Sequence, residues 1–296
     1  METTRETLLL LISTPFYALI IGGEMLVSAI HQRKIYSTRG TLANIYLTAL
    51  NFGLDLLMLG ICLRLLGYFG QFAFFGISNV YVYWAVLLVA EDFMYYLLHY
   101  VDHYCRFFWA VHVTHHSSQE FNFTVGFRSS VFQPLYRMVY FIPLALCGFK
   151  PLDIMFMYSA TQIYGILIHT QYGGRFGFLE WFMSTPSHHR VHHASNPKYL
   201  DKNLGMVFII WDRLFGTFCA EDPAEPVRYG LTTNIEKPGP VTLVFHEWIQ
   251  MWKDVSRPLP LRVRIRYLFG PPGWSHDGSR KTSRQLQEEY QRAKRG

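Results

Sequence analysis

Five apolar runs dominate the first 171 residues, at about 8–30, 42–66, 72–98, 131–148 and 152–170. Each reaches or approaches the roughly 20 residues that a helix needs to cross a bilayer. The last two are short, roughly 27 Å each by helical rise. The tight Gly148-Phe149-Lys150-Pro151 turn between them predicts a helical hairpin. The first run follows Glu2, Arg5 and Glu6 rather than a positive segment and has no clear cleavage site, so it reads as an anchor and not a signal peptide. Asn51, Asp55, Glu91, Asp92 and Gln162 fall inside the runs. They are costly in lipid and are expected to face the bundle interior.

After residue 171 the pattern changes. Residues 204–218 and 241–252 are apolar and aromatic but too short to span, which predicts interfacial or capping helices. Residues 261–267 alternate Leu-Arg-Val-Arg-Ile-Arg-Tyr, a pattern suited to a membrane surface, a strand or a solvated basic stretch. From Gly273 onward the chain is polar and expected to be loose. The predicted fold is all-α, an integral membrane helical bundle with a cytoplasmic histidine-rich metal-binding cap. Its expected organisation is a transmembrane region over 1–171, with a histidine-bearing insert at 99–130. A cap over 172–272 completes the metal site, and a polar tail covers 273–296.

Composition supports the membrane reading. Half of the 296 residues are hydrophobic and only 16% are charged, against about 25% in soluble domains. Such a chain can bury ample apolar surface, which excludes disorder. Cys62, Cys105, Cys147 and Cys219 form no CxxC, so neither a disulfide framework nor a thiolate metal site is expected, and Cys105 reads as packing. Residues 1–171 hold nine Lys/Arg and nine Asp/Glu, so the whole net charge of +6 lies in the remainder. That mild excess contains no basic run, and no nucleic-acid partner is expected. Arg33, Lys34 and Arg39 place the loop after the first run in the cytoplasm by the positive-inside rule. Counting spans then places 99–130 and everything after 171 on the same side.

The chemistry lies in the 13 histidines. His99 and His103 are four apart, one face of a helix. His112, His115 and His116 form HxxHH; His189, His192 and His193 form a second, preceded by His188; His169 ends the fifth run. The charge-derived topology puts all of these on one side, near one depth. His31, His246 and His276 are isolated and read as ordinary hydrogen-bonded residues. Nine clustered imidazoles exceed the four to six ligands of one ion, so two metals are implied. An imidazole-only set suits zinc, iron, copper or nickel. No HExxH is present, which disfavours hydrolytic zinc, whereas many neutral ligands suit two redox ions that activate oxygen. A zinc hydrolase or carrier and a silent lipid-binding scaffold remain the readings from other classes.

HxxxH followed by two HxxHH blocks between spanning segments resembles the membrane di-iron fatty acid hydroxylase/sterol desaturase superfamily. The block from Trp109 through His112, His115 and His116 to Asn122 and Arg128 is most similar to its alkylglycerol monooxygenase-like branch. So is the block from Thr185 through His189, His192 and His193 to Asn196-Pro197, Asp201-Lys202-Asn203 and Trp211–Thr217. The resemblance covers about residues 85–235. It implies two iron ions held by His99, His103, His112, His115, His116, His169, His189, His192 and His193. Some members carry a tenth histidine where Gly173 stands here, and His188 is the candidate substitute. It further implies a membrane monooxygenase acting with O2 on C–H bonds of a fatty acyl, sterol or ether lipid, with a desaturase as the nearest alternative. The expected electron donor is external: a small cytochrome, a ferredoxin or reduced pterin. Asp102, Glu120, Asn122, Asp201 and Asn203 are candidates to orient imidazoles through their far nitrogen, with capping or surface solvation as the equal alternative. Trp211-Asp212-Arg213 is expected to hold a structural ion pair.

Overall fold

The structure, a computed structural model, describes residues 5–295; Glu2 lies outside them. It is all-helical, and the described residues form no strand beyond two isolated bridges. The first three helices, α1 (Arg5–Ile30), α2 (Thr38–Gly70) and α3 (Val80–Tyr104), are long and apolar enough to cross a membrane. Local chemistry sets their starts. Ser37 Oγ accepts the Gly40 N–H at the head of α2, and Asn79 Oδ1 accepts the Tyr81 and Val82 N–H groups at the head of α3. Leu11, Leu19, Leu26, Ile45, Leu57 and Ile61 point outward from α1 and α2 and are exposed. Such a continuous apolar exterior matches lipid rather than water.

Four helices follow in the middle of the chain: α4 (Arg106–His116), α5 (Phe123–Gly126), α6 (Arg137–Leu146) and α7 (Pro151–Leu167). The hairpin forms, but the fourth run is not one helix. Gln133–Leu135 is a 3-10 turn, and α6 has only 10 residues, about 15 Å of rise. α7 has 17 residues. The hairpin turn nevertheless reaches the far end of the bundle, where Phe74 N–H donates to Leu146 O (3.1 Å). α6 and α7 pack on α2 and α3 around an apolar core that includes Leu66, Leu87, Tyr95, Phe141, Leu144 and Ile154.

The rest of the chain caps the opposite end with α8 (Pro186–His192), α9 (Ile210–Phe215), α10 (Pro240–Val255), α11 (Leu261–Phe269) and α12 (Ser283–Arg295). The apolar segment 204–218 yields only the six-residue α9, because Asp92 and Asp212 take the backbone N–H groups of Leu204, Gly205, Val207 and Phe208 before it. Residues 261–267 are helical, not a strand. The polar tail is ordered too: α12 docks through Gln287 Nε2, which donates to Leu200 O (2.8 Å), and through Tyr290 OH to Glu225.

The polar residues of the spans do face inward. Glu91 and Asp92 are fully buried. Asp92 accepts from the backbone N–H of Val207 (2.7 Å) and Phe208 (3.1 Å) and from Trp211 Nε1–H (2.8 Å), so it pulls the cap down onto α3. Glu24, in α1, accepts from Phe123 N–H (2.9 Å) and from the hydroxyls of Tyr36 and Thr170. It ties the end of α1 to the residues around the histidines.

Candidate metal centre

Cys105 breaks the line between α3 and α4, and the turn lays His99 and His103 of one helix against His112, His115 and His116 of the other. α8 brings His189, His192 and His193, and His169 follows the end of α7. The nine rings sort into two groups. His99, His103, His112, His116 and His192 form one; His115, His169, His189 and His193 form the other. Within each group one ring nitrogen per residue lies within 4.8 Å of all the others.

The outer nitrogens fix the protonation state. Nδ1 of His99, His115, His169 and His192 faces the backbone carbonyls of Leu204 (2.7 Å), Arg128 (2.7 Å), Gly165 (2.7 Å) and Lys202 (3.1 Å). His103 Nδ1 faces the Asp201 carboxylate (3.1 Å), and His112 Nδ1 faces Ser130 Oγ (3.0 Å). A carbonyl or carboxylate only accepts, so His99, His103, His115, His169 and His192 donate from Nδ1, and in the neutral ring Nε2 is then a bare lone pair. Burial and the crowding of like rings hold His112, His116, His189, His192 and His193 far below the ordinary imidazole range. Burial pushes His115 down to about 4. These six rings are neutral near pH 7.

On the five rings that donate from Nδ1 the inner nitrogen therefore has no proton to share. His115 Nε2 and His169 Nε2 are 3.4 Å apart, and His99 Nε2 lies 3.0 Å from His112 Nε2. His103 Nε2 and His192 Nε2 are buried without any hydrogen-bond partner. Facing lone pairs repel and orphaned buried acceptors are costly. A cation between them removes both penalties, so the residues present fit one metal ion per group.

The remaining sequence candidates separate clearly. Asp201 touches an imidazole directly. Asp102, fully buried, accepts from Tyr136 OH (2.6 Å) and Gln133 Nε2 (2.9 Å) and lies 3.7 Å from His112 Nδ1. Glu120 does not reach an imidazole; its Oε2 accepts the Ser37 N–H (3.2 Å). Asn122 caps α5 through the Thr124 N–H (3.0 Å) and donates to Ile35 O. Asn203 donates to His188 O and Cys219 O, so it shapes the loop rather than a ring. His188 lies outside both groups, with Nδ1 at Thr185 Oγ1 (3.4 Å) and its ring edge against Phe218. A side chain at position 173 would place Cβ 2.8 Å from Pro186 Cγ, so Gly173 leaves no room for a tenth ligand. Asp212 and Arg213 do not pair: Asp212 accepts from Leu204 N–H, Gly205 N–H and Thr217 Oγ1, while Arg213 stacks over Phe218 at 3.8 Å. Sequence reasoning missed the carbonyls of Leu204, Arg128, Gly165 and Lys202. They carry no side-chain signature.

Two cavities abut the histidines from opposite sides. One, of about 640 Å³, runs into the bundle between α1, α2, α6 and α7; it touches His99, His112, His115, His169 and His189 and ends among Leu9, Leu56 and Leu59. The other, of about 810 Å³, lies under α10 and the residues before α12; it touches His103, His116, His192 and His193 and is lined by polar groups including Thr232, Glu247, Arg280 and Lys281. Trp109 lines this second cavity, with its ring 5.3 Å from His103 and 5.6 Å from His116.

Comparison with known proteins agrees with this geometry. The chain is 38% identical over 192 residues to alkylglycerol monooxygenase of Homo sapiens and 36% identical over 191 residues to that of Xenopus tropicalis. Each match covers 64% of this chain and 42% of the relative, so the chain spans well under half the length of these proteins. It is also 31% identical over 152 residues to an ornithine lipid hydroxylase of Rhizobium tropici, covering 51% of this chain and 46% of that one. No solved structure matches the chain significantly. The family model described as fatty acid hydroxylase matches residues 84–217, from Trp84 to Thr217, a stretch that holds all nine converging histidines.

Proposed function

We propose that the protein is a multi-pass membrane monooxygenase that hydroxylates a C–H bond of a lipid with O2, using two iron ions held by the nine histidines. The observation that carries this reading is the convergence of nine buried or half-buried imidazoles into one group of five and one of four. Bound there, a pair of irons would supply the redox chemistry that O2 activation needs, which the side chains alone lack.

The residues do the rest. Carbonyls hold His99, His115, His169 and His192 by the far nitrogen, and Asp201 holds His103, so their inner nitrogens stay aimed without reorganising. The bundle-side cavity, apolar at its far end, receives a lipid chain and excludes water from the histidines. The cavity on the opposite face is where the external donor delivers electrons, a reduced pterin inside it or a small cytochrome or ferredoxin docked at its mouth, with Trp109 beside His103. Positive charge in the 31–41 loop and after residue 171 supports a cytoplasmic position for the histidine end.

The test is metal content of detergent-purified protein expressed with supplemental iron, beside a His192→Ala, His193→Ala variant, followed by a lipid product screen under air and under nitrogen. The reading predicts about two irons per chain, a sharp fall in the variant, and oxygen-dependent hydroxylated product. Zinc alone despite iron supply would sink it, and a new double bond in place of a hydroxyl would make the protein a desaturase.

A further inference from the structure

Inside the bundle-side cavity stands a polar cluster that the metal centre does not use. Arg137, only 7% exposed, donates to Asp55 from its guanidinium and lies over the Tyr158 ring at 4.5 Å. Gln162 is one helical turn beyond Tyr158 on the same face of α7 and two turns before His169. All four side chains line the cavity. Two nitrogens in the cluster have no partner: Arg137 Nε and Gln162 Nε2 are both buried and make no hydrogen bond. Asn51 continues the polar wall toward the histidines, because its Nδ2 donates to Ser130 O (3.0 Å), and Ser130 Oγ faces His112 Nδ1.

Polar groups at this depth are costly when unsatisfied and are seldom kept without use. The cluster is also electrically balanced. Asp55 matches the charge of Arg137, so an incoming carboxylate or phosphate would have to displace Asp55 from its partner. An uncharged oxygen would not. It can accept from Gln162 Nε2–H and Arg137 Nε–H, and a hydroxyl can in turn donate to Asp55, whose side chain is 29% exposed within the site.

We infer that this cluster binds an uncharged oxygen-bearing lipid, an alcohol above all, and that Gln162 and Arg137 select it over a hydrocarbon or a free fatty acid. The inference rests on the reading of the cavity as the lipid site and names the class of lipid. Asp55, Arg137 and Gln162 are specificity-determining residues that touch the substrate's oxygen while its chain lies against the apolar wall.

The experiment is competition binding on the full-length, iron-loaded protein in detergent, with hexadecanol, hexadecanoate and hexadecane displacing a fluorescent alkyl probe. Hexadecanol is expected to bind about tenfold more tightly than the other two, the worth of one or two net hydrogen bonds. Gln162→Leu should erase most of that preference and leave hexadecane affinity within about twofold. Asp55→Asn removes the balancing charge and should move the preference toward hexadecanoate. Tightest binding of hexadecanoate by the wild type, equal loss of all three ligands in Gln162→Leu, or an unchanged ranking in both variants overturns the inference. Binding is read without turnover, so failure to oxidise any lipid would strike the monooxygenase reading and leave this one to stand or fall alone.

Discussion

At the scale of single residues, the centre is held by contacts on the far side of six of its nine rings. Asp201 Oδ1 at His103 Nδ1 is the clearest side-chain example. Asp201→Asn keeps the shape but weakens the pull on the Nδ1 proton, and partners of this kind typically carry about 10–100-fold in metal affinity. Iron retention against a graded chelator should fall by at least about tenfold while the folded structure persists by circular dichroism. Burial gives a second expectation. In the metal-free protein His115 stays neutral until about pH 4, whereas an unfolded imidazole takes its proton near the ordinary 6.5. Stability is thus fully present above about pH 6.5 and is lost as pH falls toward 4, because the unfolded state binds more protons. Unfolding midpoints of chelator-treated protein between pH 7.5 and 4.5 check the sign; a rise on acidification contradicts it. The convergence of the rings was legible in the sequence, since HxxxH and HxxHH are helical spacings that place rings on one face. The carbonyl partners were not, because every residue offers a carbonyl and only the fold decides which one faces a ring.

At the scale of elements, short helices carry the histidines and carboxylates hold those helices in place. Asp212, fully buried in α9, accepts the N–H groups of Leu204 (2.7 Å) and Gly205 (2.8 Å), and Leu204 O holds His99. Asp212→Ala leaves two buried N–H groups unpaired, a loss of about 2–4 kcal/mol. It should lower the melting temperature and empty the five-histidine group before the four-histidine one, read as iron per chain falling from about two toward one. Loss of both irons together, with no intermediate, would count against it. The sequence missed this role because Asp212 is followed by Arg213, and adjacency suggested a pair. It misjudged the tail for a related reason: Leu286 and Tyr290 are one helical turn apart, a weak stripe hidden among Gln, Glu, Arg and Lys. The fourth apolar run was overread as one helix because Gln133 and Pro134 begin it, and they fold into a 3-10 turn.

At the scale of the whole molecule, apolar helices lie at one end and every ligand candidate lies at the other. A reporter fused after residue 296 tests the proposed orientation in a bacterial host. A fluorescent protein that folds only in the cytoplasm should be bright, and alkaline phosphatase at the same point should be inactive; the reverse pattern would invert the molecule. All-helical architecture and the position of the histidines near one depth were legible from run lengths and loop charge. How the cap is drawn down was not, because Asp92 sits within a spanning helix and its partners lie 115 or more residues away.

The histidine layer is bounded on both faces by open space, about 640 Å³ toward the bundle and about 810 Å³ toward the cap. It is a partition about one side chain thick with a separate doorway on each face. On the proposed reading, a greasy reactant and a water-borne one can therefore wait on either side at the same moment. Neither has to leave before the other arrives. Saturating one face should leave the half-saturating concentration at the other unchanged, so initial-rate lines plotted for the two reactants should intersect rather than run parallel.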